Sequence, residues 1–368
     1  MKRQNLVDRE YMQRCFELAA RGRARVSPNP MVGCVIVRNG RIVGEGFHER
    51  FGGAHAEANA LRQAGGRARG STVYVNLEPC SHYGKTPPCV HALLKAGVKR
   101  VVASTRDPNP VISGRGLAML RRAGLKVNVG VLGSEAEKLN EHFYAFMRTG
   151  MPFVGIKIAQ TLDGCIADER GRSKWITSEG ARREAHRMRA EYDAVLVGTD
   201  TIIKDNPKLS VRKVTGRNPV RVVLDPQLRC PAWSNVFNTK LARTVIIGSQ
   251  QAVRVMRKKV TELVERDVQV LGVEAKPDFD LRSVLQALGA LGISSVLVEG
   301  GRTTTSGFLK ARLARKLHCF VAPKIFGGGL HAFALKPGLT LAKSILVEPV
   351  AIRICGDDVL LEGPIQYR

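Results

Sequence analysis

Four residues in the first third of the chain have the types and spacing of a zinc site with its own proton carrier. His55 is followed two positions later by Glu57, Cys80 comes directly after Glu-Pro, and Cys89 lies further along. One imidazole and two thiolates suit zinc, and three protein ligands leave a fourth position for water, as in catalytic sites. Zinc lowers the pKa of such a water towards neutrality. We therefore expect His55, Cys80 and Cys89 to bind zinc and Glu57 to carry protons.

The same residues indicate a reaction class. His-x-Glu followed by Pro-Cys is typical of zinc deaminases that act on nucleobases. In the middle of a helix, a spacing of two would point His55 and Glu57 apart, so we expect both in the first turn of a helix. Nucleic-acid deaminases have two residues between their cysteines, whereas eight separate Cys80 from Cys89. The longer loop offers additional polar side chains to a substrate: His82, Lys85 and Thr86.

The elements that must position these residues alternate between strands and helices. Residues 31–37 and 41–47 have the composition of two strands, and Asn39-Gly40 between them is a strong hairpin signal. Helical and strand patterns then follow in turn: helix 55–64, strand 71–77, helix 87–95, strand 99–104, helix 116–123, strand 125–129 and helix 134–147. A hairpin followed by βα units predicts a mixed sheet layered with helices.

A second α/β domain is predicted from the remainder of the chain. A length of 368 residues favours two domains, and residues 148–152 interrupt the helical pattern before a new strand at 153–159. We therefore predict domains at 1–149 and 150–368. The second half alternates again, with helices at 178–190, 280–288 and 304–311 and strands at 194–198, 220–224, 244–248, 295–298 and 317–321. Its Gly300-Gly301 and Gly327-Gly328-Gly329 turns are nucleotide-binding candidates or plain turns.

The composition of the chain limits the classes of partner that we expect for it. The net charge is +26, and residues 1–149 and 150–368 each carry an excess of 13 basic residues, so the charge is not a basic tail. Such a field attracts phosphorylated substrates or nucleic acid. Aromatic residues are only 5%, few for stacking on bases. No secretory signal or bilayer-length apolar run is visible, and the eight cysteines lack a disulfide framework. We expect a cytoplasmic protein with no membrane partner; the sequence leaves open whether it forms a homo-oligomer.

The N-terminal half resembles the bifunctional deaminase/reductase family of riboflavin biosynthesis. The resemblance is carried by PNPMVGCVIV at 28–37, by the His-Ala-Glu and Glu-Pro-Cys motifs with Cys89, and by DPNP at 107–110. It implies a cytidine-deaminase-like fold and deamination of a small phosphoribosyl pyrimidine, diaminohydroxyphosphoribosylaminopyrimidine. It also implies that Asn29, His48 and Lys85 contact this substrate.

The resemblance extends through the C-terminal half, in KIAQTLDG at 157–164, SKWITS at 173–178, DNPKLSVR at 205–212, VEGG at 298–301 and APK at 322–324. It implies a dihydrofolate-reductase-like domain that uses NADPH to reduce the ribosyl chain of the deaminated product, 5-amino-6-(5-phosphoribosylamino)uracil, to ribityl. By position, the residues implied at the NADPH site are Ala159, Trp175, Thr201, Asp205, Gly301, Arg302, Thr303, Thr304, Thr305, Ser306 and Gly307.

The substrate of the second reaction would be held by Ser173, Arg189, Leu209, Arg212 and Glu299, according to the same resemblance. Two of them, Arg189 and Arg212, have forked guanidinium donors that suit a phosphate. Lys157 and Glu299 are the charged groups that we expect near the reacting sugar carbon. Hydride transfer belongs to the cofactor, and the protein supplies orientation.

Two other hypotheses remain at the level of sequence. The chain could be a nucleic-acid base deaminase with an accessory basic domain, as its charge suggests; we expect no specific nucleic-acid partner, because the long cysteine loop and the reductase motifs count against it. Alternatively, the second domain could be a degenerate interaction module, because LARKL at 313–317 is basic where the family is usually acidic.

Overall fold

The computed structural model describes residues 2–83, 87–110, 112–275, 278–335 and 337–368. The chain divides into two units, Met1–Gly150 and Met151–Arg368. Among the described residues, no helix is both long and apolar enough to cross a membrane.

The N-terminal unit contains a five-stranded sheet in the order β2-β1-β3-β4-β5. Strand β1 lies between β2 and β3 and pairs with both in the antiparallel direction. Strand β4 lies between β3 and β5 and pairs with both in the parallel direction. Its elements are α1 (Lys2–Ala20), β1 (Gly33–Arg38), β2 (Arg41–Phe47), α2 (Ala56–Ala64), β3 (Thr72–Val75), α3 (Cys89–Lys95), β4 (Arg100–Ala103), α4 (Arg115–Arg122), β5 (Lys126–Val129), α5 (Gly133–Leu139) and α6 (Glu141–Thr149).

Both faces of this sheet are buried, which explains the unbroken apolar run of β1. Ile36 packs in a core cluster with residues of α2, α3 and α4. Its neighbours Val35 and Val37 belong to a second cluster with Met12 and Leu18 of α1. Since successive side chains of a strand point to opposite faces, a strand covered on both sides needs apolar residues at every position.

The single helix predicted for residues 134–147 is wrong in one respect, because it is broken at Asn140. The backbone of Asn140 (φ −111°, ψ 29°) separates α5 from α6. Its side chain accepts a hydrogen bond from the Met31 amide at 2.8 Å and donates one to the Met31 carbonyl at 2.9 Å. An asparagine side chain can thus satisfy backbone groups elsewhere in the fold at the cost of helix continuity. The break ties α6 to the segment that precedes β1.

The C-terminal unit is built on a larger sheet, β11-β10-β9-β8-β12-β6-β13-β17-β15, with β16 paired to β17. The seven strands from β11 to β13 are parallel, and β17, β15 and β16 are antiparallel. Its elements are β6 (Phe153–Thr161), β7 (Cys165–Ala167), α7 (Glu179–Glu191), β8 (Ala194–Gly198), α8 (Thr199–Asp205), β9 (Val220–Leu224), β10 (Thr244–Ser249), α9 (Gln250–Val255), α10 (Arg257–Val264), β11 (Gln269–Val273), α11 (Leu281–Ala290), β12 (Ser295–Val298), α12 (Arg302–Lys310), β13 (Lys316–Ala322), β14 (Leu330–His331), β15 (Ile345–Val347), β16 (Ala351–Cys355) and β17 (Asp358–Tyr367).

Two core clusters cover the two faces of the parallel part. Val222 and Leu224 of β9 pack in one cluster with α11 and α12, whereas Val223 packs in the other with Leu263 of α10. Helices on both faces of a mostly parallel sheet are the arrangement expected of an α/β domain. The carboxyl ends of the parallel strands therefore meet at one edge of the sheet.

Candidate functional site

The candidate metal site of the N-terminal unit lies where β3 and β4 end. Because these strands are parallel, the segment after β3, which leads to Cys80, and the segment after β4, which leads to Asn109, emerge at the same edge. The start of the antiparallel β1 lies at this edge too, since Cys34 pairs with Val75, and this brings Asn29 close. Ligands of α/β sheets bind at such an edge, outside the carboxyl ends of the strands.

Three of the residues selected from the sequence converge there. His55 Nδ1 lies 3.3 Å from Cys89 Sγ and 3.4 Å from Cys80 Sγ. The three donor atoms lie within 4.8 Å of one another. Tetrahedral zinc, with bonds of about 2.0 Å to nitrogen and 2.3 Å to sulfur, requires donors roughly 3.5 Å apart. The donor set and its spacing therefore fit a zinc ion bound by three protein ligands.

The sulfur of Cys80 is prepared as an anionic ligand. The backbone amide of Cys89 donates a hydrogen bond to Cys80 Sγ at 3.2 Å. The Cys89 thiol, acting against burial and together with His55, lowers the pKa of Cys80 well below its usual range. A thiolate is the form that binds metal.

Glu57 reaches this site because of where α2 begins. His55 is the N-cap residue with extended backbone (ψ 160°), and Glu57 lies in the first turn of α2. The side chains therefore do not diverge as they would in mid-helix. Glu57 is 3% exposed, and burial raises the pKa of its carboxyl group. The helix can lie this close to β2 because residue 46 is glycine: a Cβ there would lie 2.4 Å from the Ala60 amide nitrogen.

Asn29 and His48 form a second polar pair on the wall of the same cavity. His48 Nδ1 lies 3.0 Å from the Ala54 carbonyl oxygen, which can only accept, so Nδ1 carries the proton. His48 Nε2 is then the acceptor for Asn29 Nδ2, at 3.1 Å. Burial lowers the pKa of His48, which favours this neutral form. The third substrate residue expected from the sequence, Lys85, lies outside the described residues.

The cavity has the size and lining of a small-molecule site. Its volume is about 320 Å³, and it is lined by metal-site residues and by Phe51, Phe143 and Met147. Pockets of this size that combine apolar walls with a few polar groups are typical of small-ligand sites. A larger open groove of about 870 Å³ has His82, Asn109 and Ile112 in common with its lining, so the two lie side by side. Arg115 and Arg122 of α4 line this groove.

The C-terminal unit gathers its charged candidates around Glu299, just after β12. Arg189 of α7 donates two parallel hydrogen bonds to Glu299, at 2.6 and 2.8 Å. Burial opposes ionisation, but Arg189 and Lys157 outweigh it and lower the pKa of Glu299 to about 2. Lys157 of β6 lies 5.6 Å from the centre of the Phe320 ring, and burial lowers its pKa despite the nearby Glu299. The structure thus brings Lys157, Arg189 and Glu299 together.

The two arginines expected to grip a phosphate are not equivalent. Arg189 directs its guanidinium to Glu299 and, at 3.4 Å, to the Ser210 carbonyl. Its fork is therefore engaged within the protein and orients Glu299. Arg212 is exposed and uses one Nη on Ser210 Oγ at 3.0 Å. Arg212 is the better placed of the two to bind an anion.

His186 was not singled out from the sequence, although it belongs to this cluster. Its Nδ1 accepts the backbone N–H of Arg212 at 3.2 Å, so the proton of the neutral ring is on Nε2. Burial and the charges of Arg189 and Arg212 lower the pKa of His186 to about 4. A histidine three residues before an arginine on a predicted helix would have been the signal.

The N-terminus of α12 fits a cofactor pyrophosphate. Gly301 is its N-cap residue and has no side chain with which to cap the helix; a Cβ at Gly301 would meet open space. Uncapped amides at a helix N-terminus attract phosphates. Within the run 301–307, which we expect at the cofactor site, the side chains of Thr305 and Ser306 are buried. Thr305 donates to the Gly300 carbonyl, and Ser306 accepts from the Ala334 amide.

The remaining candidates of this unit differ in exposure. Trp175 is 67% exposed and lies under the Arg182 guanidinium at 4.5 Å. Leu209 is buried among core residues, so its side chain packs in the core and is not available as a wall of the substrate site. Thr303 and Asp205 are exposed. The other members of the set are half-buried: Ala159, Ser173, Thr201, Arg302, Thr304 and Gly307.

The glycines at 327–329 have a packing role. Gly327 has φ +73°, and a Cβ at Gly329 (φ +126°) would lie 2.4 Å from the Ala167 carbonyl oxygen. The Asp163 carboxylate accepts hydrogen bonds from the amides of Phe326 and Gly327. These glycines therefore form a turn anchored by Asp163, one of the two interpretations left open by the sequence.

Comparison with known proteins finds relatives of both units, over nearly the whole chain. The family description "RibD C-terminal domain" matches residues 152–361, and "Cytidine and deoxycytidylate deaminase zinc-binding region" matches residues 6–105. The chain is 44% identical over 357 residues to the riboflavin biosynthesis protein RibD of Aquifex aeolicus, covering 96% of this chain and 98% of the relative. It is 42% identical over 370 residues to RibD of Escherichia coli, with coverages of 97% and 99%.

Solved structures of relatives have the same fold over nearly the whole chain. The RibD structure from Acinetobacter baumannii, form 1, superimposes with a TM-score of 0.90 at 38% identity, covering 99% of this chain and all of that one. A Thermotoga maritima structure, described as a diaminohydroxyphosphoribosylaminopyrimidine deaminase/5-amino-6-(5-phosphoribosylamino)uracil reductase, has a TM-score of 0.86 at 40% identity, with coverages of 99% and 100%. The predicted two-domain α/β fold class is confirmed.

Proposed function

Because this chain belongs to the RibD family of riboflavin biosynthesis proteins, we propose that its two units act in succession on one phosphoribosyl pyrimidine. The chain is a zinc-binding deaminase and an NADPH-dependent reductase. We assign it the two substrates that describe the Thermotoga maritima relative. The observation that carries the deaminase is the convergence of His55, Cys80 and Cys89 beside Glu57.

In the deaminase reaction, the amino group of the pyrimidine is replaced by the oxygen of water and leaves as ammonia. His55, Cys80 and Cys89 would hold the zinc ion, which would supply Lewis-acid activation of that water. Glu57 accepts the proton that the water gives up, and it returns protons to the ring nitrogen and to the departing ammonia. Its burial in the cavity wall keeps solvent from exchanging with the proton in transit.

Asn29 and His48 hold the pyrimidine in this proposal. The proton of His48 is fixed on Nδ1 by the Ala54 carbonyl, and its Nε2 orients the Asn29 amide. Both residues line the cavity. Their arrangement is therefore set before the substrate arrives, which lowers the entropic cost of orienting it.

In the reductase reaction, bound NADPH would supply a hydride to the sugar carbon bonded to nitrogen. The bond from that carbon to the ring oxygen breaks, and this oxygen takes up a proton, so that the sugar becomes an open ribityl chain. Lys157 is our candidate for the proton donor. Burial lowers the pKa of its ammonium group, which eases proton release. Glu299 stays ionised beside it and holds it in place, while Arg189 orients Glu299. Arg212 offers free guanidinium donors to the substrate phosphate.

The amides at the start of α12 would hold the pyrophosphate of NADPH, with Gly301, Arg302, Thr303 and Thr304 as the exposed or half-buried residues of that turn. We assign Trp175 to a stacking surface of the same site, because its ring is largely exposed.

We place the protein in the cytoplasm and its partners among small molecules. All eight cysteines are free thiols, which fits a reducing compartment. The two other hypotheses lose support for specific reasons. The RibD C-terminal match over residues 152–361 counts against an accessory nucleic-acid-binding domain. The cluster of Lys157, Arg189 and Glu299 counts against a degenerate module, because such a module would not need three half-buried charged groups held together.

The decisive experiment follows both reactions separately. Replacing Glu57 by Gln should lower ammonia release from the pyrimidine about 10²- to 10⁴-fold, the range for loss of a general acid–base group. Zinc content and NADPH oxidation with the deaminated intermediate should stay unchanged. Glu49→Gln, an exposed glutamate one residue from His48, is the matched control. Full ammonia release by Glu57→Gln, or no NADPH oxidation by the wild-type chain, would contradict the proposal.

A further inference from the structure

Glu78 has no assigned role in the reaction, but it is one of the most constrained carboxylates of the N-terminal unit. It is 4% exposed. Its Oε2 accepts hydrogen bonds from the amides of Asp107 (3.2 Å) and Gly114 (2.8 Å), and its Oε1 from Gly116 (2.9 Å) and Leu117 (3.3 Å). Within the described ranges, no Lys or Arg side chain forms an ion pair with it. Four backbone amides therefore hold this carboxylate.

Part of this arrangement is the cap of α4. The helix begins after Gly114, which has φ +79° and provides no side-chain cap. The first amides of a helix lack intrahelical partners and carry partial positive charge, so a carboxylate near them is stabilised. Here the cap comes from Glu78, 36 residues before Gly114. The capping bonds are thus long-range contacts between the end of β3 and the start of α4.

The segments that Glu78 joins both belong to the deaminase cavity. On one side, Pro79 and the zinc ligand Cys80 follow it directly. On the other, the segment from Asp107 to Gly114 contributes Asp107, Asn109 and Ile112 to the wall of the cavity. A single carboxylate therefore fixes the distance between a metal ligand and the wall that faces the substrate.

Gly116 shows independently how tightly these segments are joined. A Cβ at this position would lie 2.2 Å from the Pro79 carbonyl oxygen and 3.3 Å from Glu78 Oε1. No side chain fits in that space without moving the Glu78–Cys80 segment or the start of α4. The close approach places the backbone next to Cys80 in direct contact with the helix.

We propose that Glu78 is a positioning residue of the deaminase: it holds Cys80 and the Asp107–Asn109 wall in the relative arrangement that the reaction requires. This inference rests on the proposed function of the N-terminal unit. Replacing a residue that orients a metal ligand without binding the metal itself typically changes metal affinity or activity by 10- to 100-fold. We expect an effect of that order.

Glu78→Gln is the first test. The amide keeps the shape of the side chain, but one of its two oxygen acceptors becomes a donor that faces two N–H groups. The folded variant should release zinc to a chromogenic chelator about 10-fold or more faster than the wild type, and its kcat/KM for ammonia release should fall by about 10- to 100-fold. NADPH oxidation with the deaminated intermediate should be unchanged. Asp8→Asn is the matched control, since Asp8 is 5% exposed and hydrogen-bonded to Tyr74 and Arg100 outside the cavity.

Gly116→Ala is the second test and leaves Glu78 intact. It should reproduce the faster zinc release and the lower kcat/KM, whereas Gly66→Ala, where a Cβ would meet open space, should not. A purely structural role predicts a lower melting temperature with unchanged zinc release and kinetics in the folded fraction, and that result would overturn the inference. If the wild type releases no ammonia from the pyrimidine, the proposed function fails, and zinc release alone decides the role of Glu78.

Discussion

Removing the charge of Glu299 should destabilise the C-terminal unit strongly. The carboxylate accepts two hydrogen bonds from Arg189, and both side chains are nearly buried, with 7% and 14% of their surfaces exposed. Lys157 adds a second cation to the same region. In Glu299→Gln, the positive charges of Arg189 and Lys157 lose the carboxylate that lies beside them. Breaking a buried pair by removing one member typically costs 3–5 kcal/mol.

The lowered pKa of Glu299 gives a similar magnitude for the free energy by which this ion pair stabilises the fold. Its value falls from 4.5 to about 2 in the folded chain, which corresponds to roughly 3 kcal/mol at about 1.4 kcal/mol per tenfold change. Because the pKa is lowered on folding, this stabilisation is fully present above pH 4.5. It is lost progressively as the pH falls from 4.5 towards 2. The difference in stability between wild type and Glu299→Gln should therefore shrink over that range.

Urea unfolding measured by circular dichroism, from neutral to acidic pH, provides the assay. Trp175 and Trp233, the two tryptophans of the chain, both lie in the C-terminal unit, so tryptophan fluorescence assigns the transition to it. Glu262→Gln is the control, because Glu262 pairs with Arg266 at 3.8 Å with about half of each side chain exposed. Such a surface pair contributes about 0–1 kcal/mol.

Two results would refute this reasoning. A loss of less than 1 kcal/mol in Glu299→Gln at neutral pH would mean that the buried cations do not depend on Glu299. A difference between variant and wild type that stays constant down to pH 2 would mean that the carboxylate is not held ionised by its neighbours.

Three other predictions address the two reactions and the fold. Removing zinc with a strong chelator should abolish ammonia release and leave NADPH oxidation with the deaminated intermediate intact; loss of both would contradict separate sites. Arg115→Ala and Arg122→Ala should raise the KM for the phosphorylated pyrimidine about 10-fold, with little change for its dephosphorylated form, because both residues line the groove and guanidinium groups suit a phosphate; equal effects on both substrates would refute this. Asn140→Ala should lower the free energy of unfolding of the N-terminal unit by about 1–3 kcal/mol, because the Met31 amide loses its partner, whereas the Met31 carbonyl keeps a hydrogen bond from Asn76. Asn128→Ala, at an exposed bond to Arg100, is its control, and equal losses would argue against the proposed cause.

The zinc site was accessible from sequence because its chemistry depends on residue types at fixed spacings. Imidazole, thiolate and carboxylate donors are rare near one another, and a pair such as His55 and Glu57 is informative before any fold is known. The alternation of strands and helices was accessible for a similar reason, since β1, α2, β8 and β12 have clear apolar patterns. The broken helix at Asn140 was not, because its cause is a hydrogen-bonding partner 109 residues away.

The supporting residues were the hardest to predict. Glu78 occurs in a motif with Cys80, but its function as a cap depends on amides 29–39 residues later in the chain. The engagement of Arg189 with Glu299 spans 110 residues, so the sequence suggested two equivalent phosphate-binding arginines. Burial of Thr305 and Ser306 follows from which face of α12 packs on the sheet, and residue type alone does not give that face.

The division of the chain into two units, each with its own core, has a consequence for the supply of enzyme. One translation event yields one deaminase and one reductase, so the ratio of the two catalysts is fixed at synthesis and cannot drift with expression. An imbalance between production and use of the deaminated intermediate can then arise only from the rate constants of the two sites. In the proposed function, selection on the balance of the two reactions can therefore act on residues of the two sites, among them our candidates Glu57 and Lys157, but not on relative abundance.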